Sequence, residues 1–305
     1  MPKVYGFSEY GGPDVQEFRD EPTPAPGPGE LLVAVRAAGV NPVDWKLRSG
    51  RLAEWMPREL PVVLGSEASG VVEEVGRDVE GFAVGDEVLG VTAPTSGGYA
   101  EYALLTAAGS AKKPVHLPFV DAAALPVAAA TAYDAIRQLA LEPGSTLLVN
   151  GAGGGVGVVA AQLARDAGVN VVGTGGDGKR ELVESLGATF VDYRGDVAAQ
   201  VRQILPDGVD AVLDAVGGDA LRAVATLVKD RSRIVSTADQ RTAEELGGTG
   251  VVRDGSGAVL SEVAWLVADG KLDMHVVDVR PLDEAGQALS GVESGHSRGK
   301  VVLEL

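Results

Sequence analysis

The 305-residue chain contains no cysteine. That absence removes disulfides, thiolate metal sites and a cysteine nucleophile together. Histidine is nearly as scarce: His116, His275 and His296 are scattered and share no metal-ligand spacing. No apolar run approaches the length of a membrane span. The opening segment, MPKVYGFSEYGG, lacks the apolar core of a signal peptide. Positive charge is also short. The net charge of −17 repels phosphate backbones and anionic lipid surfaces, so neither nucleic acid nor a membrane is expected as a partner. No repeat, low-complexity tract, Ser-His-Asp set or carboxylate pair stands out. The expectation is a cytoplasmic protein whose chemistry is not carried by a side-chain nucleophile.

What is present is 45% hydrophobic residues and a length that suits two domains. The stretch Thr146–Tyr193 organises them. A short apolar run, Thr146–Val149, ends in a glycine cluster; Val156, Val159, Ala160, Leu163, Ala164 and Ala167 then recur at helical spacing; a second apolar run follows at Val169–Thr174 and a third at Thr189–Val191. Strand, glycine turn, helix and strand form a βαβ nucleotide-binding unit. Ala152 stands where the usual G-x-G-x-x-G pattern has its first glycine, and Gly151, Gly154 and Gly157 give a G-x-x-G-x-x-G spacing instead. Glycines there let backbone approach a pyrophosphate, and the helix N-terminus turns amide N–H groups toward it. Gly153, Gly154, Gly155, Val156 and Gly157 are therefore candidate dinucleotide-binding residues.

Around this unit the texture is uneven. Residues 1–120 alternate short apolar runs with Pro and Gly, at Lys3–Phe7, Leu31–Val40, Pro61–Leu64, Ala68–Val75, Glu87–Val91 and Tyr99–Leu104. Such spacing suggests a small all-β barrel. Asp121–Leu139 reads as an alanine-rich helix that Pro126 kinks or breaks. Beyond the βαβ unit come a helix at Val197–Leu205, a strand at Val209–Val216, a helix at Leu221–Val228, a strand at Arg233–Thr237, an edge strand at Gly250–Arg253 and a helix at Val259–Ala268. This alternation predicts a doubly wound parallel sheet over 121–273. Met274–Leu305 returns to short strands and is expected to rejoin the barrel, with substrate in the cleft between the domains.

Several short motifs line up along almost the whole chain: VNPVDWKLRSG at Val40–Gly50, GSEASGVVEEVG at Gly65–Gly76, GDEVLG at Gly85–Gly90, GGYAEY at Gly97–Tyr102, TAY at Thr131–Tyr133, GAGGGVG at Gly151–Gly157 and GKVVL at Gly299–Leu303. In this order and spacing the chain resembles the zinc-free quinone oxidoreductase (zeta-crystallin-like) branch of the medium-chain dehydrogenase/reductase superfamily. The resemblance implies an α/β protein with a GroES-like β-barrel catalytic domain and a doubly wound (Rossmann) nucleotide-binding domain. It also implies NADPH-dependent reduction of a quinone or enone, and a homodimer built on edge strands. Zinc relatives carry G-H-E, where this chain has Gly65, Ser66 and Glu67; together with the missing cysteines this predicts an enzyme without a metal.

By the same resemblance Asn41 lies near the nicotinamide and the substrate oxygen, and Thr131 approaches the nicotinamide. Lys46 stands where some relatives place a pocket-lining tyrosine, and a cation there could steady an oxyanion. Each has a plain structural alternative: Asn41 an Asx turn before Pro42, Thr131 a back-bond within a helix, Lys46 a solvated surface lysine. Asp44 is balanced between a site role and a turn. Ser66 fills the vacated ligand position. Glu67 is expected to be structural, pairing with a basic residue, and Arg48 to pin its loop. Tyr99 and Tyr102 read as barrel packing, and Asp210 and Asp214 as turn or cap groups. For the cofactor, the neutral Thr174 occupies the place of the ribose-binding acid of NAD-dependent relatives. Gly175 leaves room for a 2′-phosphate, Lys179 and Arg180 supply charge, and Tyr193 flanks the adenosine phosphate. Val216 and Ser236, at two further strand ends, complete the expected contacts. Asp177, 20 residues past Gly157, is the one acid at a ribose-binding offset. An enoyl-thioester reductase and a non-catalytic, crystallin-like NADPH-binding protein stand as alternatives.

Overall fold

The computed structural model describes every residue except His296, which lies outside the described residues. The chain forms two compact units, Met1–Ala128 with Gly255–Leu305, and Ala129–Asp254. The helix Gly257–Ala268 thus belongs to the first unit.

In the first unit the strand Glu30–Val40 is the axis. Its alternation places Leu31, Val33 and Val35 in one apolar cluster with Ala68, Val72, Val88, Ala103 and Leu105, while Leu32 faces Ala93 and Leu104. The strand pairs antiparallel with Glu67–Val75 on one side and Tyr102–Lys112 on the other. Glu87–Thr92 bridges those two, closing a barrel. At its far end Val40–Ala37 pairs with Lys300–Glu304, which pairs in turn with Val276–Pro281. The C-terminal segment therefore rejoins the barrel, as its pattern predicts. The expected helix 121–139 is broken: Pro126 lies in a π-helical turn, Leu125–Ala129, between helices Phe119–Ala123 and Ala130–Leu139. Proline lacks the N–H that a continuous helix requires.

The second unit is a six-stranded parallel sheet in the order Thr189–Asp192, Asn170–Gly175, Thr146–Asn150, Ala211–Asp214, Ile234–Ser236, Thr249–Gly250. Strand order reverses between Thr146–Asn150 and Ala211–Asp214, a parallel pair, and ligands of such folds bind at that switch point. Leu148, Val172, Val191, Val212, Leu221, Val224 and Ile234 form its core. The strand Ala211–Asp214 is shorter than its apolar run at both ends. Val209 makes only an isolated bridge to Val228, and Val216 lies two residues beyond the strand end. The edge strand is Thr249–Gly250, not Gly250–Arg253. Its continuation is drawn onto the helix Ala130–Leu139, where Val252 N donates to Gln138 Oε1 at 2.8 Å and Arg253 pairs with Asp134 at 3.5 Å. No helix among the described residues is long and apolar enough to cross a membrane.

Candidate active site

Two groups of residues carry the candidate chemistry, one in each unit. In the sheet unit the glycine turn is shaped by what its residues lack. Gly151 has φ +90°, a left-handed conformation that favours glycine. A Cβ on Gly157 would lie 2.3 Å from the Gly151 carbonyl oxygen, so only glycine lets the helix Gly155–Asp166 start this close to the strand. A Cβ on Gly154 would meet nothing nearer than 3.6 Å, which leaves that face of the turn open. The turn is braced from below. Gly151 N donates to Thr174 Oγ1 at 3.0 Å, Thr174 donates to Asn150 Oδ1 at 2.7 Å, and Asn150 donates to Asp214 Oδ1 at 2.8 Å. Ser236 donates to Asp214 Oδ2 at 2.6 Å, and the Val216 and Gly217 amides also donate to that carboxylate. Thr174 and Ser236 are thus buried braces. Val216 is exposed and flanks the turn, its Cγ2 lying 3.0 Å from a Cβ position on Gly151. Val156 is half-buried at the first turn of the helix.

Charge gathers at the end of the strand Asn170–Gly175. The Lys179 stem lies over Gly153, with Cδ 2.6 Å from a Cβ position there, and its Cβ is 3.5 Å from one on Gly175. The Tyr193 ring and the Arg194 guanidinium stand 3.2 and 3.7 Å from a Cβ position on Gly176. Arg180 turns away from them: its guanidinium covers the Phe190 ring at 4.3 Å and pairs with Asp177 and Glu184. Asp177 is mostly exposed and held by that pair. Thr131, in the same unit, accepts from Arg253 Nη1 at 2.6 Å.

The barrel unit holds a second, buried polar network. Asn41 Nδ2 donates to Glu67 Oε1 at 2.6 Å, and Lys300 Nζ donates to both Asn41 Oδ1 and Glu67 Oε1. The other Glu67 oxygen accepts from Val127 N, in the π-helical turn, at 2.6 Å. The basic partner expected for Glu67 is therefore Lys300. Asp44 Oδ2 accepts from Asn41 N at 2.8 Å and from the Tyr99 hydroxyl at 2.9 Å; Asp44 Oδ1 accepts from Ser66 Oγ at 2.7 Å. Burial pushes the Asp44 carboxyl up to about 6, against the opposing pull of Ser66, the Asn41 amide, Tyr99 and the Lys300 charge. Burial, then Asp44 itself, holds the Tyr99 hydroxyl well above its usual value. Lys46 is half-buried, with its ammonium 5.9 Å from the Trp45 ring. Arg48 pins its loop, bonding Gly11 O at 3.2 Å and Glu293 at 2.8 Å.

Known proteins are similar to this chain in sequence and fold. Residues 27–115 match the alcohol dehydrogenase GroES-like domain, and 186–303 match a domain described as zinc-binding dehydrogenase. A 2-methylene-furan-3-one reductase of Solanum lycopersicum is 33% identical over 99% of this chain and 78% of its own. The chain belongs to the quinone oxidoreductase branch of the medium-chain dehydrogenase/reductase superfamily. The quinone oxidoreductase structure from Coxiella burnetii superposes with a TM-score of 0.91 at 32% identity, covering 100% of this chain and 99% of that one. A mycobacterial relative complexed with NADPH gives 0.87 at 30% identity, covering the whole of both chains.

The donor set does not suit the zinc for which the second domain is described. Among the described residues no group of three or more His, Cys, Asp or Glu could hold a metal ion. The amide of Asn41 and the hydroxyl of Ser66 both donate to neighbouring carboxylates. A dinucleotide fits better, because the glycine turn offers bare backbone at the strand ends. Sequence reasoning missed Asn150, Lys300 and Arg194. Asn150 ends the first strand beside the glycines, and Lys300 opens an otherwise apolar strand; both were visible as polar residues in apolar context. Arg194 carried no signal beyond adjacency to Tyr193.

Proposed function

We propose that the protein is a zinc-independent, NADPH-dependent reductase of quinones or related electron-poor enones. The observation that carries this reading is the neutral, glycine-lined end of the strand Asn170–Gly175, with Lys179, Tyr193 and Arg194 around it. Thr174, near the end of that strand, is neutral where an NAD-dependent relative has a ribose-binding acid, and the nearby cations would favour a 2′-phosphate. The mycobacterial relative complexed with NADPH supports the cofactor, and the quinone oxidoreductase relatives support the acceptor.

When bound, NADPH supplies the hydride, so the protein's task is position and polarity. The turn Gly153–Gly157 takes the pyrophosphate on backbone N–H groups. Val216 flanks it, Thr174 and Ser236 keep the strand ends in place, and Thr131 lies toward the nicotinamide. Asn41, oriented by Glu67 and Lys300, keeps one N–H for the acceptor oxygen, where negative charge develops during reduction. Lys46 borders the acceptor and tunes its range. A two-fold dimer through the edge strand Thr249–Gly250 and a cytoplasmic location belong to the same reading.

The test is NADPH oxidation with a panel of quinones, enones and enoyl thioesters, with and without a chelator. Turnover of quinones or enones, undiminished by chelation, is the expected result. Preference for enoyl thioesters would move the activity to the alternative reductase class. Tight NADPH binding without turnover of any acceptor would make this a binding protein.

A further inference from the structure

Asp44, Asn41, Glu67, Tyr99, Lys300 and Ser66 form one connected hydrogen-bond network in the barrel unit. Five of the six are buried, and only Ser66 is partly exposed. Ser66 is therefore the most exposed member of the network, and the group behind it is a carboxyl 2.7 Å away. Nothing in the proposed hydride transfer uses this serine. Reduction also needs a proton, and none of the cofactor-binding residues supplies one.

We propose that Ser66 is a catalytic residue that passes a proton from Asp44 to the oxygen of the reduced acceptor. The inference rests on the reductase reading above. Hydride transfer from the reduced nicotinamide gives the acceptor two electrons and one hydrogen, oxidises the nicotinamide and leaves an oxyanion. The Ser66 Oγ–H bond breaks as that hydrogen bonds to the oxyanion. When Asp44 is protonated on Oδ1 the bond to Ser66 runs from Asp44 to Ser66 Oγ, which frees the serine proton for the oxyanion, and the Asp44 proton passes to Ser66 Oγ in the same movement. Serine ends unchanged and Asp44 ends as a carboxylate, recharged from water through Ser66 once product has left. An enol formed in this way tautomerises to the saturated ketone in water.

The surroundings suit a carboxyl that changes charge. Tyr99 and the Asn41 amide hold its other oxygen, so only Oδ1 exchanges a proton with Ser66. Of the charges nearby, Glu67 is neutralised by Lys300, and Lys300 limits how far burial raises Asp44. On the same helix Arg48 is paired to Glu293. The protonated share of Asp44 falls as pH rises through about 6. Enone turnover that depends on it falls over the same range.

The test uses the full chain, with Ser66→Ala, Ser66→Thr and Asp44→Asn beside the unaltered protein. Turnover is measured in H2O and D2O with an alkyl enone and with a benzoquinone, and NADPH affinity is measured by fluorescence. The enone oxyanion is strongly basic and needs an acid; the hydroquinone anion is a much weaker base. Ser66→Ala and Asp44→Asn are expected to lower enone turnover about 100-fold, to lower quinone turnover far less, and to leave NADPH affinity unaltered. Ser66→Thr restores the enone rate, and the solvent isotope effect seen with enone disappears in Ser66→Ala. Unchanged enone turnover and isotope effect in Ser66→Ala would overturn the relay while leaving the reductase reading intact. Equal losses on both acceptors, unrestored by threonine, would overturn it too, as a merely structural role. If Asp44→Asn fails to fold, the alanine and threonine variants decide alone. An unaltered protein that turns over no acceptor sinks the reductase reading and the relay together.

Discussion

The glycine turn and the barrel network solve opposite problems. At Gly151–Gly157 side chains are absent so that backbone can come close to backbone and to a ligand. Around Asn41 a lysine, a glutamate and an aspartate are buried together. Each ion is tolerated there because another group satisfies it. One region works by vacancy, the other by occupied hydrogen bonds. They should therefore fail differently: the turn through steric intrusion, the network through a charge left alone.

The largest expected effect breaks the network. Lys300→Met strands Glu67 in the barrel, and a loss of about 3–5 kcal/mol is expected from urea unfolding. Adding Glu67→Gln should recover most of it; no recovery would mean that the lysine acts through packing rather than charge. Next comes a contrast within the turn. Gly157→Ala places a Cβ against the Gly151 carbonyl and should cost about 1–3 kcal/mol. Gly154→Ala should cost less stability, because its Cβ makes only an ordinary contact at 3.6 Å, yet weaken NADPH binding in a titration. Equal stability losses would dissolve the distinction. A smaller effect sharpens the charged end of the same site. Lys179→Ala should weaken NADPH about tenfold while NADH affinity holds, and Arg180→Ala should do little, because Arg180 is engaged with Phe190 and Asp177. The smallest concerns Asn41→Ala, which removes one oriented donor and should lower kcat/KM several-fold. An unchanged value would leave Asn41 a purely structural partner of Glu67.

The contrast also explains what could be read from the sequence. The turn is local: strand, glycines and helix follow one another, so spacing alone picked out Gly154 and Gly157, while Thr174 came from the resemblance. The parallel sheet followed from alternation, and the barrel from short runs with turn signals. The barrel network is not local. It joins residues 41, 44, 66, 67, 99 and 300, and a lysine beginning an apolar strand gives no hint of which carboxylate it will meet. The misplacement of the edge strand has a similar origin. Val251–Arg253 has a strand's composition, but Gln138 and Asp134 on a distant helix capture it. Arg180 looked equivalent to Lys179 until Phe190, ten residues further on, gave its guanidinium a ring to cover.

The position of Lys300 has a consequence for biosynthesis. It lies 233 residues after Glu67 and 259 after Asn41. The sheet unit, Ala129–Asp254, is contiguous and leaves the ribosome whole before that lysine is made. A nascent chain stalled before residue 300 would thus carry a finished sheet beside an open barrel, whose Glu67 still lacks its counter-ion and whose strand Glu30–Val40 still lacks Lys300–Glu304 along one edge. That stage is the one in which the chain is most exposed to strand-edge aggregation and to capture by chaperones.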